Sequence, residues 1–394
     1  MLSQTIAVTG VTLRSIKERF GSSAVAVIGI AGVVLVFVAV LSIAEGVKAT
    51  MESSGDPDTV LILRAGSDTE MTSGLAGDAV RVIQDAPGIA HDGSGTPITS
   101  PELFVAVDHP LKRSGSPANV PLRGVTPQAF KVHKNVKIVE GRNFEFGQNE
   151  LIAGRAAARQ FVGLNVGTTL KWGESTWKLV GIFSDEGSVS ESELWCDVKV
   201  LQPAYRRGNS YQSVYARLAS PGDFQQLKDS LTTNPQLSVT PMRAQDYYAS
   251  QTQTLQGIIR TIGGIIAILM GVGAVFGAVN TMYSAVASRT REIATLRALG
   301  FGSIPVVFSV LVEAAFLSII GGLIGGLIAW LAFDGYETAT MNFQSFSQIA
   351  FSFAVTPRLL LIALSYALIM GLLGGFLPAY RAARLPVVTA LREL

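Results

Sequence analysis

Four stretches of this sequence are long, apolar and nearly free of charge, and they limit what the chain can become. Ala24–Ala44, Thr261–Ser288 and Leu359–Tyr380 carry no charged residue, and Ile304–Phe333 carries only Glu313. About 20 apolar residues are enough for a helix to cross the hydrocarbon core of a bilayer. Only a helix or a closed barrel can satisfy backbone N–H and C=O groups there. Four membrane-spanning helices are therefore expected. Many of the 40 glycines fall in these runs, as is common for membrane helices. The first run is longer than a signal-peptide core and lacks a small-x-small cleavage pattern, so it reads as a retained span.

The net charge of +2 conceals an asymmetry. Residues 1–23 hold Arg14, Lys17 and Arg19 against Glu18, and the tail after Tyr380 holds Arg381, Arg384 and Arg392 against Glu393. The connector after the second run holds Arg289, Arg291 and Arg297 against Glu292, whereas 334–357 holds Asp334 and Glu337 and no Lys or Arg. Basic loops stay in the cytoplasm. Both termini and the connector are thus expected on the cytoplasmic side, with Arg260 and Arg358 snorkelling at the outer ends of their spans.

The expected organisation is a basic amphipathic lead-in at 1–23, span 1 with a stalk at 24–54 and an extracytoplasmic domain at 55–243. A stalk and span 2 follow at 244–288, a cytoplasmic helix at 289–303 and span 3 at 304–333. An outer loop at 334–357, span 4 at 358–380 and a cytoplasmic tail at 381–394 complete it. The outer domain mixes short strand patterns (59–64, 151–153, 168–172, 176–183, 194–196, 213–218, 237–240) with helix patterns (77–84, 155–161, 223–231). The fold class is therefore a membrane protein with four transmembrane α-helices and a large α+β extracytoplasmic domain between helices 1 and 2. Residues 45–257 hold 20 basic and 23 acidic side chains, which argues against a nucleic-acid surface.

The connector Arg289-Thr290-Arg291-Glu292-Ile293-Ala294-Thr295-Leu296-Arg297-Ala298-Leu299-Gly300 reads as a short amphipathic helix. Ile293, Leu296 and Leu299 recur every third residue near one side, and Gly300 suits the C-cap. Twelve residues cannot bury a core of their own. Such a helix either lies on lipid as a basic connector or fits into another protein.

That pattern, R-x-R-E-I-x-x-L-R-A-L-G, resembles the coupling helix of MacB/FtsX-type ABC transporter permeases, with Ala294 where the family usually has glycine. The tail Pro378-Ala379-Tyr380-Arg381-Ala382-Ala383-Arg384-Leu385-Pro386 through Ala390-Leu391-Arg392 resembles the family as well, with Pro386 one residue early. In the outer domain, Leu122-Arg123-Gly124-Val125-Thr126-Pro127, Val139-Glu140-Gly141-Arg142, Asn149–Gly154, Val166-Gly167 and Leu179–Phe183 follow the order of the MacB-type periplasmic core domain, which in the family divides into two subdomains. The resemblance covers essentially the whole chain.

The resemblance implies a permease subunit of the bacterial inner membrane that has no catalytic residue and no cofactor of its own. ATP and Mg would be bound by a separate cytoplasmic ABC ATPase. The other partners would be a second permease copy or a paralogue, and a periplasmic adaptor protein. Arg289, Arg291, Glu292 and Arg297 would make polar contacts to the ATPase while Ile293, Leu296 and Leu299 fill its groove, with Gly300 ending the helix. Pro378, Ala379, Arg381, Arg384 and Pro386 would form a C-terminal cytoplasmic motif. Displacement would pass through the spans to the outer domain and drive export or release of a substrate. The alternative within the family is an FtsX-like regulator of a cell-wall hydrolase; outside it, a membrane-anchored enzyme.

No chemistry of another kind is visible. No G-x-x-x-x-G-K-[ST] loop occurs, so nucleotide phosphates have no Walker A cradle. H-E-x-x-H, C-x-x-C and G-x-S-x-G are absent too. Gly271–Gly277 has the wrong spacing for a dinucleotide fingerprint. Cys196 is the sole cysteine, which excludes an internal disulfide, and His91, His109 and His133 are isolated in sequence. Asp185, Glu186, Glu191 and Glu193 read as a solvated loop. Glu313, inside a span, is expected to face the protein interior, in a structural pairing rather than a proton or substrate role.

Overall fold

The computed structural model describes residues 20–288, 290–342 and 347–384. They divide into two compact units. A helical unit takes the residues up to Gly46, Gly257–Tyr336 and those from Phe353 on; a sheet unit takes Val47–Gln256 and Glu337–Ser352.

In chain order the elements are α1 (Phe20–Ser53), β1 (Thr59–Arg64), β2 (Leu75–Ala76), α2 (Gly77–Gln84), β3 (Thr99–Pro110), β4 (Pro117–Val125), α3 (Ala129–Val132), β5 (Lys137–Gly141), β6 (Glu150–Gly154) and α4 (Arg155–Gln160). Next come β7 (Thr169–Trp172), β8 (Ser175–Ser184), β9 (Leu194–Asp197), α5 (Val198–Ala204), β10 (Ser210–Tyr211), β11 (Ser213–Arg217), α6 (Phe224–Thr232) and β12 (Val239–Arg243). The long helix α7 (Ala244–Ala287), α8 (Thr290–Ala298), α9 (Ser303–Phe333), the hairpin β13 (Glu337–Asn342) and β14 (Ser347–Ser352), and α10 (Pro357–Ala383) follow.

Among the described residues, four helices are long and apolar enough to cross a membrane: Ser23–Ser53, Gly257–Ala287, Ser303–Phe333 and Pro357–Ala383. Their outer faces are bare hydrocarbon. Ile28, Ile268, Leu269, Phe276, Leu331 and Leu361 are 65–71% exposed, a surface that water would not tolerate and lipid covers. The chain is a multi-pass membrane protein.

Within the helical unit the packing is close because small residues line it. A methyl group on Gly325 would meet the Ala31 carbonyl oxygen of α1 at 2.4 Å, so no larger residue fits there. Tyr366 joins three helices: its ring stacks on Phe37 at 4.7 Å between centroids, and its hydroxyl donates to the Ala267 carbonyl over 2.7 Å. Gly273 of α7, by contrast, has open space at its Cβ position.

The sheet unit is built on one mixed sheet in the order β12-β1-β11-β3-β4-β9-β6-β8-β5, with β7 added on β8. The β4/β9 and β6/β8 pairs are parallel and the rest antiparallel. Two apolar interiors lie on it. One gathers Val60, Ile62, Val80, Ile83, Leu227 and Leu231 under α2 and α6. The other gathers Leu122, Leu151, Phe161, Trp177, Leu179 and Leu201 under α4 and α5.

Three sequence expectations are corrected here. The longest strand, β3, and its neighbour β4 were not among the expected ones, because Pro101, Pro110, Pro117 and Pro121 interrupt their pattern. β3 tolerates them by changing partner: residues 99–102 pair with β11 and 103–110 with β4, so the same position is not bonded on both edges. The outer loop 334–357 contains a β-hairpin that belongs to the sheet unit. The acidic loop is not solvated either. Asp185, Glu191 and Glu193 are buried, and only Glu186 of the four is exposed.

Gly325→Ala should destabilise the helical unit by about 1–3 kcal/mol through overpacking. Gly273→Ala should be neutral or slightly stabilising, because alanine is the better helix former. Thermal unfolding in detergent, followed by helical circular dichroism, checks the contrast; equal behaviour of the two variants would refute the packing described.

Candidate functional site

The connector folds as α8, and its capping follows from its residues. Gly300 takes φ +92°, a left-handed conformation that favours glycine, and its N–H donates to the Arg297 carbonyl over 3.1 Å. Glu292 in the first turn and Arg297 in the last complement the helix dipole. Arg291, Glu292 and Thr295 are exposed, Arg297 is half-buried, and Leu299 is 72% exposed. Arg289 and Pro386 lie outside the described residues, and so does the side chain of Leu296.

Ile293 departs from expectation. It is 6% exposed and packs with Met282, Val286, Val306, Val310, Ala379 and Ala382, in the interior of the helical unit itself. The reason is angular. A spacing of three falls about 60° short of a full turn at each step, so Ile293 and Leu299 point about 120° apart. Ile293 and the buried Ala294 anchor the helix, and the free apolar tip is Leu299.

The C-terminal residues meet α8 in the same cluster. Pro378 and Ala379 are buried, and the Ser303 hydroxyl donates to the Ala383 carbonyl over 3.2 Å. Arg381 stands over the Tyr283 ring at 5.5 Å and Arg384 over Tyr380 at 4.4 Å, so both keep their charge at the surface. Glu313 is 3% exposed in α9, facing inward.

A second constellation, in the sheet unit, escaped the sequence reading. Arg123 on β4 sends all five of its N–H groups to carboxylates. Nη1 and Nη2 grip Glu70 at 2.8 and 3.0 Å, Nε and Nη2 grip Glu193 at 2.6 and 2.8 Å, and Nη1 also reaches Glu102 at 2.8 Å. Around them, Ser213 Oγ donates to Glu70, Trp195 Nε1 donates to Glu193, and His133 Nε2 lies 3.2 Å from Glu102 Oε1. The only hint in the sequence was an arginine inside the apolar run Val120–Val125.

Burial opposes charge here, and pairing outweighs it at Arg123, Glu102 and His133. Although burial disfavours it, the Arg123 guanidinium is held well above its ordinary value by Glu193 and Glu70. Burial works against the Glu102 carboxylate too, yet His133 and Arg123 bring it below the usual range. Burial likewise works against an imidazolium at His133, and Glu102 with Asp185 reverses that, raising its value. Asp185 itself is raised, by burial. No group of three or more metal-ligating side chains forms among the described residues.

A family model described as the MacB-like periplasmic core domain matches residues 23–234, and one described as the FtsX-like permease C-terminal matches 264–387. The chain is a MacB/FtsX-type ABC transporter permease. Its resemblance to a macrolide export ATP-binding/permease protein MacB 1/2 of Paracoccus denitrificans is 26% identity over 389 residues, 93% of this permease and 55% of that relative. A pyoverdine export ATP-binding/permease protein PvdT of Pseudomonas entomophila is 39% identical over 103 residues, 26% of this chain and 14% of that one. The permease thus spans about half the length of the first relative and a small part of the second. The periplasmic region of MacB from Actinobacillus actinomycetemcomitans aligns over 52% of this chain and 98% of its own, at 13% identity and a TM-score of 0.38.

His133 gives this permease a pH signature. Because its folded value is raised, the imidazolium stabilises the fold fully below the ordinary histidine value of about 6.5, and the contribution is lost as pH climbs through the higher folded value. Glu102 acts oppositely, losing its contribution as pH falls below the ordinary carboxylate range. Stability of the intact chain in nanodiscs, read by tryptophan fluorescence, should decline as pH rises above about 6.5, and His133→Gln should flatten that decline. An unchanged slope in the variant would contradict it.

Proposed function

We propose that this chain is the membrane half of an ATP-driven exporter, and that α8 is where an ATP-binding subunit engages it. The observation that carries the reading is the division of α8 into an anchored side, Ile293 and Ala294, and a presented side, Arg291, Glu292 and Leu299. A helix seated firmly in its own unit, yet offering charge and one apolar tip, is suited to transmitting a push rather than to closing a loop. In this reading ATP and Mg are bound by the ATP-binding subunit; residues 1–394 hold no phosphate-cradling loop of the Walker A kind.

In this reading α8 and both ends of the chain lie in the cytoplasm and the sheet unit outside the inner membrane, following the basic residues. ATP binding draws the two ATPase subunits of a permease dimer together, α8 moves with them, and the spans carry the displacement outward. α1 and α7 each run unbroken from the helical unit's sequence into that of the sheet unit, which supports mechanical transmission. Export is favoured over regulation of a hydrolase because the family match over 23–234 is to a MacB-like core domain, and the relatives carrying that name are macrolide exporters.

Arg291→Glu should lower permease-stimulated ATP hydrolysis by about tenfold or more, the usual consequence of reversing one charge in a buried contact, while leaving the chain inserted. Normal turnover in that variant would remove α8 from the mechanism. Thr295→Cys should react with impermeant thiol reagents only from the cytoplasmic side, and labelling from outside intact cells would overturn the orientation.

A further inference from the structure

The chain passes between its two units at four points, which belong to three elements. α1 crosses at Gly46/Val47, α7 crosses at Gln256/Gly257, and the β13–β14 hairpin is flanked by crossings at Tyr336/Glu337 and Ser352/Phe353. Inside the sheet unit, all three elements bring residues to a single narrow cleft beside the ion cluster. Met51 comes from α1, Tyr248 from α7 and Ile349 from β14, over a floor that includes Arg123 and Glu193. The hairpin forms one side of that wall, with Ser347, Ile349 and Phe351 of β14 buried. The Ala350 N–H donates to Ser192 Oγ over 2.9 Å, Gln160 Nε2 donates to Gln348 Oε1 over 3.3 Å, and Arg159 pairs with Glu337 where both are half exposed. An exposed pair of that kind contributes at most about 1 kcal/mol. Ile349 is buried with Met51, Tyr247 and Tyr248, and Phe351 on the same face of β14 is buried as well.

We propose that the β13–β14 hairpin is a strap that keeps water off the Arg123 cluster, and that lifting it loosens the middle of the sheet. Glu70 precedes β2, Glu102 lies on β3, Arg123 on β4 and Glu193 just before β9, so the cluster ties segments from both sides of the sheet's midpoint. Attraction between its charges scales inversely with the effective dielectric. Water admitted at the cleft would screen the ion pairs and compete for the glutamate oxygens. Few residues separate β13 from α9, or β14 from α10, so a pull on either helix is delivered to the strap directly along the chain. The strap is therefore a hydration-controlled latch, distinct from α8 and independent of how α8 is used.

Hydrogen exchange by mass spectrometry on the full chain in nanodiscs tests this. Ile349→Ala should speed exchange about tenfold in Leu122–Val125 and Leu194–Asp197, while α2 and α6, which pack in the other interior, keep their rates. Ser192→Ala, which removes only the hydroxyl that receives the Ala350 amide, should shift the same segments in the same direction by less, and serves if the first variant fails to fold. Unchanged rates at Leu122–Val125, or an equal rise in α2 and α6, would each overturn the strap.

Discussion

A guanidinium has five N–H groups, and in the interior of the sheet unit all five of those on Arg123 end on carboxylate oxygens. That closure is what lets three glutamates and an arginine sit together at the centre of a sheet. Removing two ions from water costs several kcal/mol each, and only good geometry with every remaining lone pair engaged recovers it. Here Ser213, Trp195 and His133 occupy the remaining positions, and the rings of Phe104 and Tyr215 face the guanidinium at 5.4 and 5.7 Å. The cluster specifies the pairing of β3, β4 and β9 more than it adds to stability. A shifted register would leave a charge buried without a partner, which costs about 3–5 kcal/mol.

The helical unit obeys the same accounting of polar groups by different means. Its helices satisfy their own backbones, which frees their surfaces for lipid, and their contacts are then decided by shape. Backbones approach where side chains are absent, as at Gly325 against Ala31 and at Gly321 against Val27. Polar side chains in the spans turn inward or bond to the preceding helical turn, as Ser318 does to the Ala314 carbonyl over 2.6 Å.

Local patterns in the sequence revealed what depends on near neighbours. The four long helices, β1 at Thr59–Arg64 and α2 at Gly77–Gln84 follow from periodicity and from the residues that stop them. Long-range pairing stayed hidden. Asp185, Glu191 and Glu193, set among serines and one glycine, look like a solvated loop because the groups that bury them are remote or are backbone. Arg123 lies 70 residues from Glu193, while Glu191 Oε1 accepts from the N–H groups of Asp185 and Gly187 and from Ser184 Oγ, folding its own loop inward. Gly154 completes that arrangement, since a Cβ there would meet the Glu191 carbonyl oxygen at 2.1 Å. For α8, the spacing of three apolar residues gave the helix correctly and its faces wrongly, because a step of three drifts around the axis.

The two units differ physically in how each can deform. Apolar helices with self-satisfied backbones can shift in lipid without breaking their own ladders of hydrogen bonds, so movement disturbs only the contacts between helices, such as that of Tyr366 with the Ala267 carbonyl. A sheet knotted by buried charges cannot deform gradually, because its ion pairs are strong while dry and weak once wetted. The proposed export function, in which helix movement changes the core domain, calls for an element of the second kind. The cleft beside Arg123, reached by residues of α1, α7 and β14, is such a place.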